Sequence, residues 1–256
     1  MNILVCIKEV PDDSVAVTVV DNKAATADIT PVVNAFDTYS LEMAVRLKEE
    51  VEGQVVVVSI GDEEVKNSLK NCLAVGADSA YLIKCDDYKN LDTKVITDIL
   101  LNAKEQLEDK LGAFDLVCFG KETTDKEASQ VGVYFANKAN LGVVTSVIEM
   151  KLEKDNLITK QEIDGGYREV ETKTPSVVTI AKPNYEPRYP TIKSKMAARR
   201  QKIEDIEVSD VNFDLILEEI KDFEPEKRQA GVKIQEEDAE TTVQKAIELM
   251  VEQKVL

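Results

Sequence analysis

Residues 120–131 carry the side chains whose types and spacing best suit ligand binding. The segment follows an apolar run at residues 114–119 and precedes a stretch with helical periodicity. Unpaired N–H groups at the start of a helix bind anions, above all phosphate, and hydroxyl and amide side chains add donors. Those donors here are Thr123, Thr124, Ser129 and Gln130. The segment therefore predicts a phosphate site, although the same residues also suit an ordinary capped helix start.

Other kinds of chemistry are disfavoured by what the sequence lacks. The chain has no histidine, which removes Ser-His-Asp and Cys-His arrangements and His-ligated metal sites. Its four cysteines, Cys6, Cys72, Cys85 and Cys118, form no C-x-x-C pair, so neither a zinc knuckle nor a cysteine-only iron–sulfur site is indicated. Because no secretory signal is recognised, we expect them to be reduced cytosolic thiols. Neither G-x-x-x-x-G-K-[ST] nor a G-x-G-x-x-G after the first strand occurs. The sequence therefore favours ligand binding, or chemistry that a cofactor supplies.

Alternating strand and helix patterns position the 120–131 segment. Apolar runs typical of buried parallel strands occupy residues 3–7, 55–60, 80–83 and 114–119. Helical periodicity occupies residues 38–50, 62–75, 92–111 and 125–139, with Asp37 as a predicted N-cap. The alternation predicts an α/β fold, with an open, mainly parallel, Rossmann-like sheet and helices on both faces. An α+β fold with a mixed sheet is the alternative.

The pattern changes after residue 142. Strand patterns at residues 143–148, 157–163, 167–173 and 176–180 predict an antiparallel extension of one sheet edge. Asp164-Gly165-Gly166 predicts a hairpin turn between two of these strands. Glu162 and Asp164 could form an acid–base pair, although a role in the turn explains them more simply.

The later part of the chain is uneven in charge. The whole chain has a formal net charge of −17, which argues against a nucleic-acid binder. Residues 186–202 carry six basic residues and one acidic residue, within a proline-rich arm and a helical pattern at residues 191–203. This basic island predicts contact with an acidic partner or a phosphate, unless it is only a solvated helix face. Residues 201–256 have a net charge of −9 and include amphipathic stretches at 210–222 and 239–251.

These changes predict three parts in the chain. They are an α/β domain at residues 1–182, an extended arm with a basic helix at residues 183–203, and an acidic extension at residues 204–256. No apolar run reaches the ~18 residues of a transmembrane helix, so no membrane span is expected. The N-terminus lacks the pattern of a signal peptide, so a cytoplasmic location is expected.

Several segments together resemble the beta subunit of electron transfer flavoproteins. They are residues 4–12, 34–37, 41–42, 74–78, 120–121, 125, 130–132, 162–189 and 230–233, in the family's order. Glu186-Pro187-Arg188-Tyr189 ends the stretch that is most similar to the family signature. The resemblance implies a nucleotide-binding domain that pairs with a larger alpha subunit, which holds a mobile FAD. It also implies an electron carrier subunit that is catalytic only within a complex.

The resemblance implies one of two cofactors in this chain. The ordinary branch of the family binds a structural AMP, whereas the electron-bifurcating branch binds a second FAD that NADH reduces. Val131 stands where the AMP-binding branch more often has threonine, which favours FAD. Residues 162–166 and 186–202 are more similar to the ordinary branch, so both cofactors remain open. Ala35 replaces the family's usual proline and predicts a less rigid loop.

The nucleotide contacts that the resemblance implies lie at the carboxyl ends of the predicted strands, where open α/β sheets bind ligands. They are Cys6, Asn34, Ala35, Phe36, Asp37, Ile60, Gly120, Lys121, Glu122, Thr123, Thr124, Asp125, Ala128, Ser129, Gln130 and Val131. We expect no catalytic side chain and no metal ligand.

The arm and the basic helix match the family's recognition loop for a flavin-dependent dehydrogenase of the acyl-CoA or hydroxy-acid type. Ile192 is the implied apolar anchor, surrounded by Pro190, Lys193, Lys195, Met196, Arg199 and Arg200. The acidic extension is implied to pack on the alpha subunit, and ferredoxin is an acceptor in the bifurcating branch. An adenine-nucleotide-binding sensor or stress-type protein is an alternative from another class, but it explains only residues 1–150. An adenylate-handling enzyme is a third reading.

Overall fold

The structure is a computed structural model of the chain and describes residues 1–154, 156–226 and 230–256. The strands are β1 Asn2–Cys6, β2 Glu9–Pro11, β3 Val19–Val20, β4 Lys23–Ala24, β5 Pro31–Val33, β6 Gln54–Gly61, β7 Ser79–Lys84, β8 Leu116–Gly120, β9 Gly142–Glu153, β10 Asn156–Ile163, β11 Gly166–Lys173, β12 Ser176–Ile180 and β13 Glu204–Glu207. The α-helices are α1 Ala35–Val51, α2 Lys66–Ala74, α3 Thr93–Leu111, α4 Val131–Lys138, α5 Ile192–Arg200 and α6 Ala239–Glu252.

One large sheet dominates, with nine strands in the order β11-β10-β9-β12-β8-β1-β6-β7-β13. The strands from β9 through β13 in this order pair in parallel, and β10 and β11 add an antiparallel hairpin beyond β9. The β-branched runs of β1 and β6 are buried because helices cover both faces of a parallel sheet. The prediction of an open, mainly parallel α/β sheet is confirmed.

Successive residues of β1 show how the two layers of helices are attached. Ile3 and Val5 belong to one apolar cluster with α1 and α2, whereas Leu4 and Cys6 belong to another with α3 and α4. This division follows from the alternation of side chains along a strand. The predicted helices on both faces are therefore present.

The strand order reverses beside β1. From β1 the chain passes through α1 to β6 and on to β7, and it then returns to β8 on the opposite side of β1. Such a reversal separates the loops that leave the carboxyl ends of the two strands, and ligands of open α/β sheets bind in the crevice between them. The fold therefore selects the ends of β1 and β8 as the ligand-binding edge.

Several predictions about individual elements were wrong. Strand β12 does not extend the sheet edge in antiparallel fashion, because it lies between β8 and β9 and pairs in parallel with both. Helix α4 begins at Val131 rather than near residue 125, because the backbone takes positive φ values of 47° at Glu127 and 53° at Ser129. The amphipathic stretch at residues 210–222 contains neither helix nor strand, and the charged strand β13 was not predicted.

The chain divides into two units, Met1–Val17 with Ala25–Ile220, and Thr18–Ala24 with Lys221–Leu256. The second unit contains the β3–β4 hairpin and α6, and in it Asp222 donates its N–H to the carbonyl O of Asn22 at 2.9 Å. No helix in the described ranges is long and apolar enough to cross a membrane. The three-part division by residue number stays a prediction.

Candidate functional site

Asn34, the residue before α1, joins the loops that leave β1 and β8. It is fully buried, and its backbone N–H donates to the carbonyl O of Lys8 at 2.9 Å. Its side-chain Nδ2 donates to the carbonyl O of Glu122 at 2.8 Å, and its Oδ1 accepts the N–H of Thr124 at 3.1 Å. An amide suits this position because it offers a donor and an acceptor together. One residue therefore joins the two loops, through its side chain to the β8 loop and through its backbone to the β1 loop.

Asp37 makes the second connection between the two strand ends. Its Oδ2 accepts the N–H of Lys8 at 2.7 Å, and its Oδ1 accepts the N–H of Gly120 at 3.0 Å. The side chain is buried within the protein. The prediction that Asp37 is the N-cap of its helix was wrong, because Asn34 is the N-cap and α1 begins at Ala35.

The environment of Asp37 changes its proton affinity. Burial raises the pKa of Asp37 from 3.8 to about 7, because the charged form is poorly solvated there. The hydrogen bonds from Lys8, Asn34 and Gly120 act in the opposite direction but do not cancel the effect of burial. The carboxyl group therefore changes its charge near neutral pH.

The loop after β8 is tethered at its base and exposed beyond it. Lys8 Nζ lies 2.5 Å from Asp125 Oδ2, so the loop that follows β1 also holds the middle of this loop. Ser129 Oγ donates to Glu122 Oε2 at 2.5 Å. Residues 125–130 are exposed, and Gln130, the N-cap of α4, makes no side-chain capping bond within the described residues. The N–H groups of the first turn of α4 are therefore available to an anion.

Two glycines allow close packing at this edge. A Cβ atom at Gly120 would lie 2.3 Å from Asp37 Oδ1, and one at Gly132 would lie 2.8 Å from Thr179 Cγ2. The predicted nucleotide contacts included neither Gly132 nor Lys8. Lys8 could have been found as the basic residue directly after the apolar run of β1, and Gly132 as the glycine that follows Val131. Both residues position the loop on either side of the predicted phosphate contacts.

The structure places the predicted nucleotide residues at one edge of the sheet, but hydrogen bonds join only some of them. Asn34 and Asp37 are bonded directly to Gly120, Glu122 and Thr124. Cys6 ends β1, Ile60 lies on the neighbouring strand β6, and Ala35 and Phe36 open α1. Lys121 continues from β8, with its N–H bonded to the carbonyl O of Ile180 at 2.8 Å. Thr123, Ala128, Gln130 and Val131 lie farther along the same loop.

The cysteines are not suited to nucleophilic chemistry. Burial raises the pKa of all four thiols, that of Cys72 to about 12 and that of Cys6 well above its usual value. The nearby Asp37 adds to the shift at Cys6. A thiol with a raised pKa stays protonated at neutral pH and reacts slowly. Within the described ranges, no group of three Cys, Asp or Glu side chains could hold a metal ion.

Helix α5 presents a second candidate surface. It begins with a capping box between Thr191 and Ser194, and Ala198 is its buried residue. Ile192 is 82% exposed and Met196 is 53% exposed, so both apolar side chains are open to a partner. The predicted basic neighbours on this helix, Lys193, Lys195, Arg199 and Arg200, are exposed, and Pro190 is half-buried. Apolar residues and basic residues therefore share one small helix.

Comparison with known proteins decides the family. Residues 22–211 match the family described as the electron transfer flavoprotein domain, and this range includes the first turn of α1, the β8 loop and α5. The chain belongs to the electron transfer flavoprotein family. The match also includes the arm, which the sensor-type alternative left unexplained.

The relatives of this electron transfer flavoprotein chain include beta subunits. It is 33% identical to the electron transfer flavoprotein subunit beta of Thermoanaerobacterium thermosaccharolyticum over 234 residues, which cover 91% of this chain and 84% of the relative. It is 30% identical to the subunit beta of Megasphaera elsdenii over the full length of both chains. It is 32% identical to the caffeyl-CoA reductase-Etf complex subunit CarD of Acetobacterium woodii, over 79% of this chain and 77% of the relative. The predicted resemblance is confirmed.

The close approach at Gly120 yields a stability prediction for this electron transfer flavoprotein chain. Gly120→Ala should lower the free energy of unfolding by about 1–3 kcal/mol, because the new Cβ would overlap Asp37 and lie 2.8 Å from Phe36 Cβ. Gly166→Ala is the matched control, since no described atom lies within 4 Å of its added Cβ. Chemical denaturation measures both, and equal losses in the two variants would contradict the close packing at Gly120.

The raised pKa of Asp37 yields a prediction about pH. Because the pKa of Asp37 is about 7 in the folded chain against an ordinary value of 3.8, the folded state binds the proton more tightly. The stability that this provides is present at low pH and is lost as pH rises towards 7. The unfolding free energy of the wild type, relative to Asp37→Asn, should therefore fall by roughly 2 kcal/mol between about pH 5 and pH 7. An identical pH dependence in both proteins would assign the titration to another group.

Proposed function

We propose that this chain is the beta subunit of a two-subunit electron carrier. It holds an adenine nucleotide at the ends of β1 and β8 and docks through α5 onto a flavin-dependent dehydrogenase. The observation that carries the proposal is the double connection of Asn34 and Asp37 to the β8 loop, which leaves exposed donors at the point where the strand order reverses. The alpha subunit supplies the second half of the carrier.

The residues at this edge fit the phosphate groups of a nucleotide. Hydroxyl donors come from Thr123, Thr124 and Ser129, and backbone donors come from the first turn of α4. The pairing of Lys8 with Asp125 offsets a negative charge that would otherwise repel a phosphate. The loop also carries carboxylates, of which Asp125 is paired with Lys8 and Glu122 accepts from Ser129, so hydroxyl and backbone donors are the groups proposed to meet the phosphate.

The remaining residues orient the ligand rather than react with it. Asn34 and Asp37 hold the loop in place through side-chain bonds to backbone groups, so that its donors are arranged before the ligand binds. Cys6 ends β1 with a small, buried side chain, and the base is proposed to lie next to this strand end. A flavin, when bound, supplies the electron-transfer chemistry that no side chain of this sequence provides.

FAD is the favoured nucleotide, and AMP is the alternative. Val131 lacks the hydroxyl group that a threonine would offer to a phosphate oxygen, and this difference supports FAD together with NADH as electron donor. The relative named as subunit CarD of a caffeyl-CoA reductase-Etf complex supports a dehydrogenase partner that acts on CoA esters. Ferredoxin then fits as the second acceptor. With AMP in this chain, its role would be structural.

Nucleotide content tests the cofactor proposal. The purified two-subunit complex is denatured, and the released nucleotides are separated by chromatography and counted per heterodimer. Two FAD per heterodimer are expected. One FAD with one AMP would show that the complex is an ordinary carrier rather than a bifurcating one. If no second nucleotide is released, the proposed binding site on this chain is wrong.

A variant identifies the subunit that holds the nucleotide. Ser129→Glu places a carboxylate among the proposed phosphate donors and should remove this chain's nucleotide while the alpha subunit keeps its FAD. Ser209→Glu makes the same change at another exposed serine and should keep both. Retention of both nucleotides in Ser129→Glu would place the binding site elsewhere.

The exposed anchor on α5 yields a prediction about docking. Ile192→Ala should raise the KM of the dehydrogenase for the two-subunit carrier about tenfold, because an apolar side chain at the centre of a basic surface is a typical hot spot. Ile163→Ala on β10 is the control, since that isoleucine is 37% exposed and lies outside α5. Nucleotide content should not change. Loss of nucleotide in Ile192→Ala would show that the two sites are misassigned.

A further inference from the structure

Arg188 attaches the arm that precedes α5 to the middle of α1. Its Nε donates to Glu42 Oε2 at 2.8 Å, and its backbone N–H donates to the same oxygen at 3.1 Å. Its Nη1 donates to Glu49 Oε1 at 2.6 Å, and its Nη2 reaches Glu49 Oε2 at 3.1 Å and Glu42 Oε1 at 3.3 Å. The planar guanidinium group therefore bridges two carboxylates that lie about two turns apart on one face of the helix.

The carboxylate of Glu42 is buried, so it requires a positively charged partner at this one position. The side chain is only 3% exposed, and Arg46 Nε lies 2.5 Å from its Oε1. Burial alone would raise the pKa of Glu42, but the hydrogen bonds from Arg188 and Arg46 outweigh burial and lower the pKa. A buried charge without its partner is strongly unfavourable, so the arm is held where it can satisfy Glu42. The Arg46 guanidinium also stacks 3.8 Å from the centre of the Tyr185 ring, which lies in the same arm.

The other end of α5 is held independently. Lys70 of α2 donates to the carbonyl O of Gln201, directly after the helix, and lies 3.4 Å from the carbonyl O of Arg199. Ala198 packs into the apolar cluster that contains α1 and α2. Helix α5 is therefore fixed at its C-terminal end by α2, while its N-terminal end depends on the arm.

The apolar residues of the candidate docking surface lie near the end that Arg188 holds. Tyr189 is 88% exposed and Ile192 is 82% exposed, one and four positions after Arg188. Pro187 and Pro190 restrict the backbone between the attachment and the helix. An exposed apolar side chain is not held in place by its own packing. Its orientation therefore depends on the nearest residue that is fixed to the rest of the protein.

We propose that Arg188 is a positioning residue for docking, which holds Ile192 and Met196 in the orientation that a partner dehydrogenase binds. The proposal rests on the docking function of α5 proposed above, and it assigns Arg188 no contact with the dehydrogenase. Orientation before binding lowers the entropic cost of association, so it strengthens docking without a new contact. Helix α1 therefore serves two surfaces: its first turn holds the nucleotide edge, and Glu42 and Glu49 hold the docking arm.

The test uses the complete two-subunit carrier with two purified flavin-dependent dehydrogenases, one acting on acyl-CoA esters and one on a hydroxy acid. Arg188→Ala should raise the KM for the carrier about fivefold with the dehydrogenase that reduces it. The kcat should change by less than about twofold, and the nucleotide content should stay unchanged. Arg168→Ala, which removes an exposed arginine of β11, is the matched control and should leave KM unchanged.

Two further variants separate positioning from a general loss of stability. Arg188→Lys should show an intermediate KM, because an ammonium group cannot bridge both carboxylates. Glu49→Gln should raise KM less than Arg188→Ala, because it leaves the pair with buried Glu42 intact. Amide hydrogen exchange at residues 189–200 should accelerate in Arg188→Ala. Exchange accelerated throughout the β-sheet, or a loss of nucleotide, would overturn the proposal by showing a defect of the whole fold.

A double variant shows whether Arg188 acts through Ile192. If it does, Arg188→Ala should raise KM little further when Ile192→Ala is already present. If the two substitutions instead raise KM independently, so that their fold-changes multiply, the positioning role is overturned. An unchanged KM in Arg188→Ala with a raised KM in Ile192→Ala would overturn this inference and leave the docking function in place. An unchanged KM in both variants, or no reduction of the wild type by either dehydrogenase, would overturn the docking function and this inference with it.

Discussion

The buried polar contacts between the start of α1 and the ends of β1 and β8 are the constraint on which the candidate site depends. Where the strand order reverses, two loops diverge, and their backbone N–H and C=O groups lose the partners that a continuing sheet would provide. Asn34 and Asp37 supply partners to Lys8, Gly120 and Thr124. These contacts fix the first residues of the loop that follows β8 and leave its later residues exposed. A loop of this kind can present donors to an anion without being reordered by it.

Helix α1 carries these contacts together with the attachment of the docking arm. Asp37 and Glu42 are five positions apart, which corresponds to about 7.5 Å along a helix axis. Both are buried carboxylates, but their environments differ: Asp37 accepts from neutral backbone groups and its pKa is raised, whereas Glu42 is paired with arginines and its pKa is lowered. Asp37 therefore titrates near neutral pH, and Glu42 remains charged. A stable ion pair is better suited to hold the proposed docking surface in a fixed orientation.

The fold and the family do not by themselves decide which ligand the proposed site would hold. An open α/β sheet fixes the edge at which a ligand binds, whereas the donors along the loop determine which ligand is held. In this chain the proposed donors lie in residues 123–131, where Val131 offers no hydroxyl group. Lys8 and Gly132 shape the same loop from either side.

Much of the fold could be predicted from the sequence, because local patterns record burial. The apolar runs of β1, β6, β7 and β8, the periodicity of α3 and the donor-rich segment after β8 were all visible in residue order. What only the tertiary structure decided are pairings between distant residues. The place of β12 between β8 and β9, the parallel pairing of the charged strand β13, and the bond from Arg188 to Glu42 across 146 positions are of this kind. Periodicity in the sequence indicates whether a side chain is buried or exposed, but it does not indicate which residue that side chain bonds to. For this reason Asp37 had the pattern of a helix cap, and only the assembled sheet showed that it joins two strand ends.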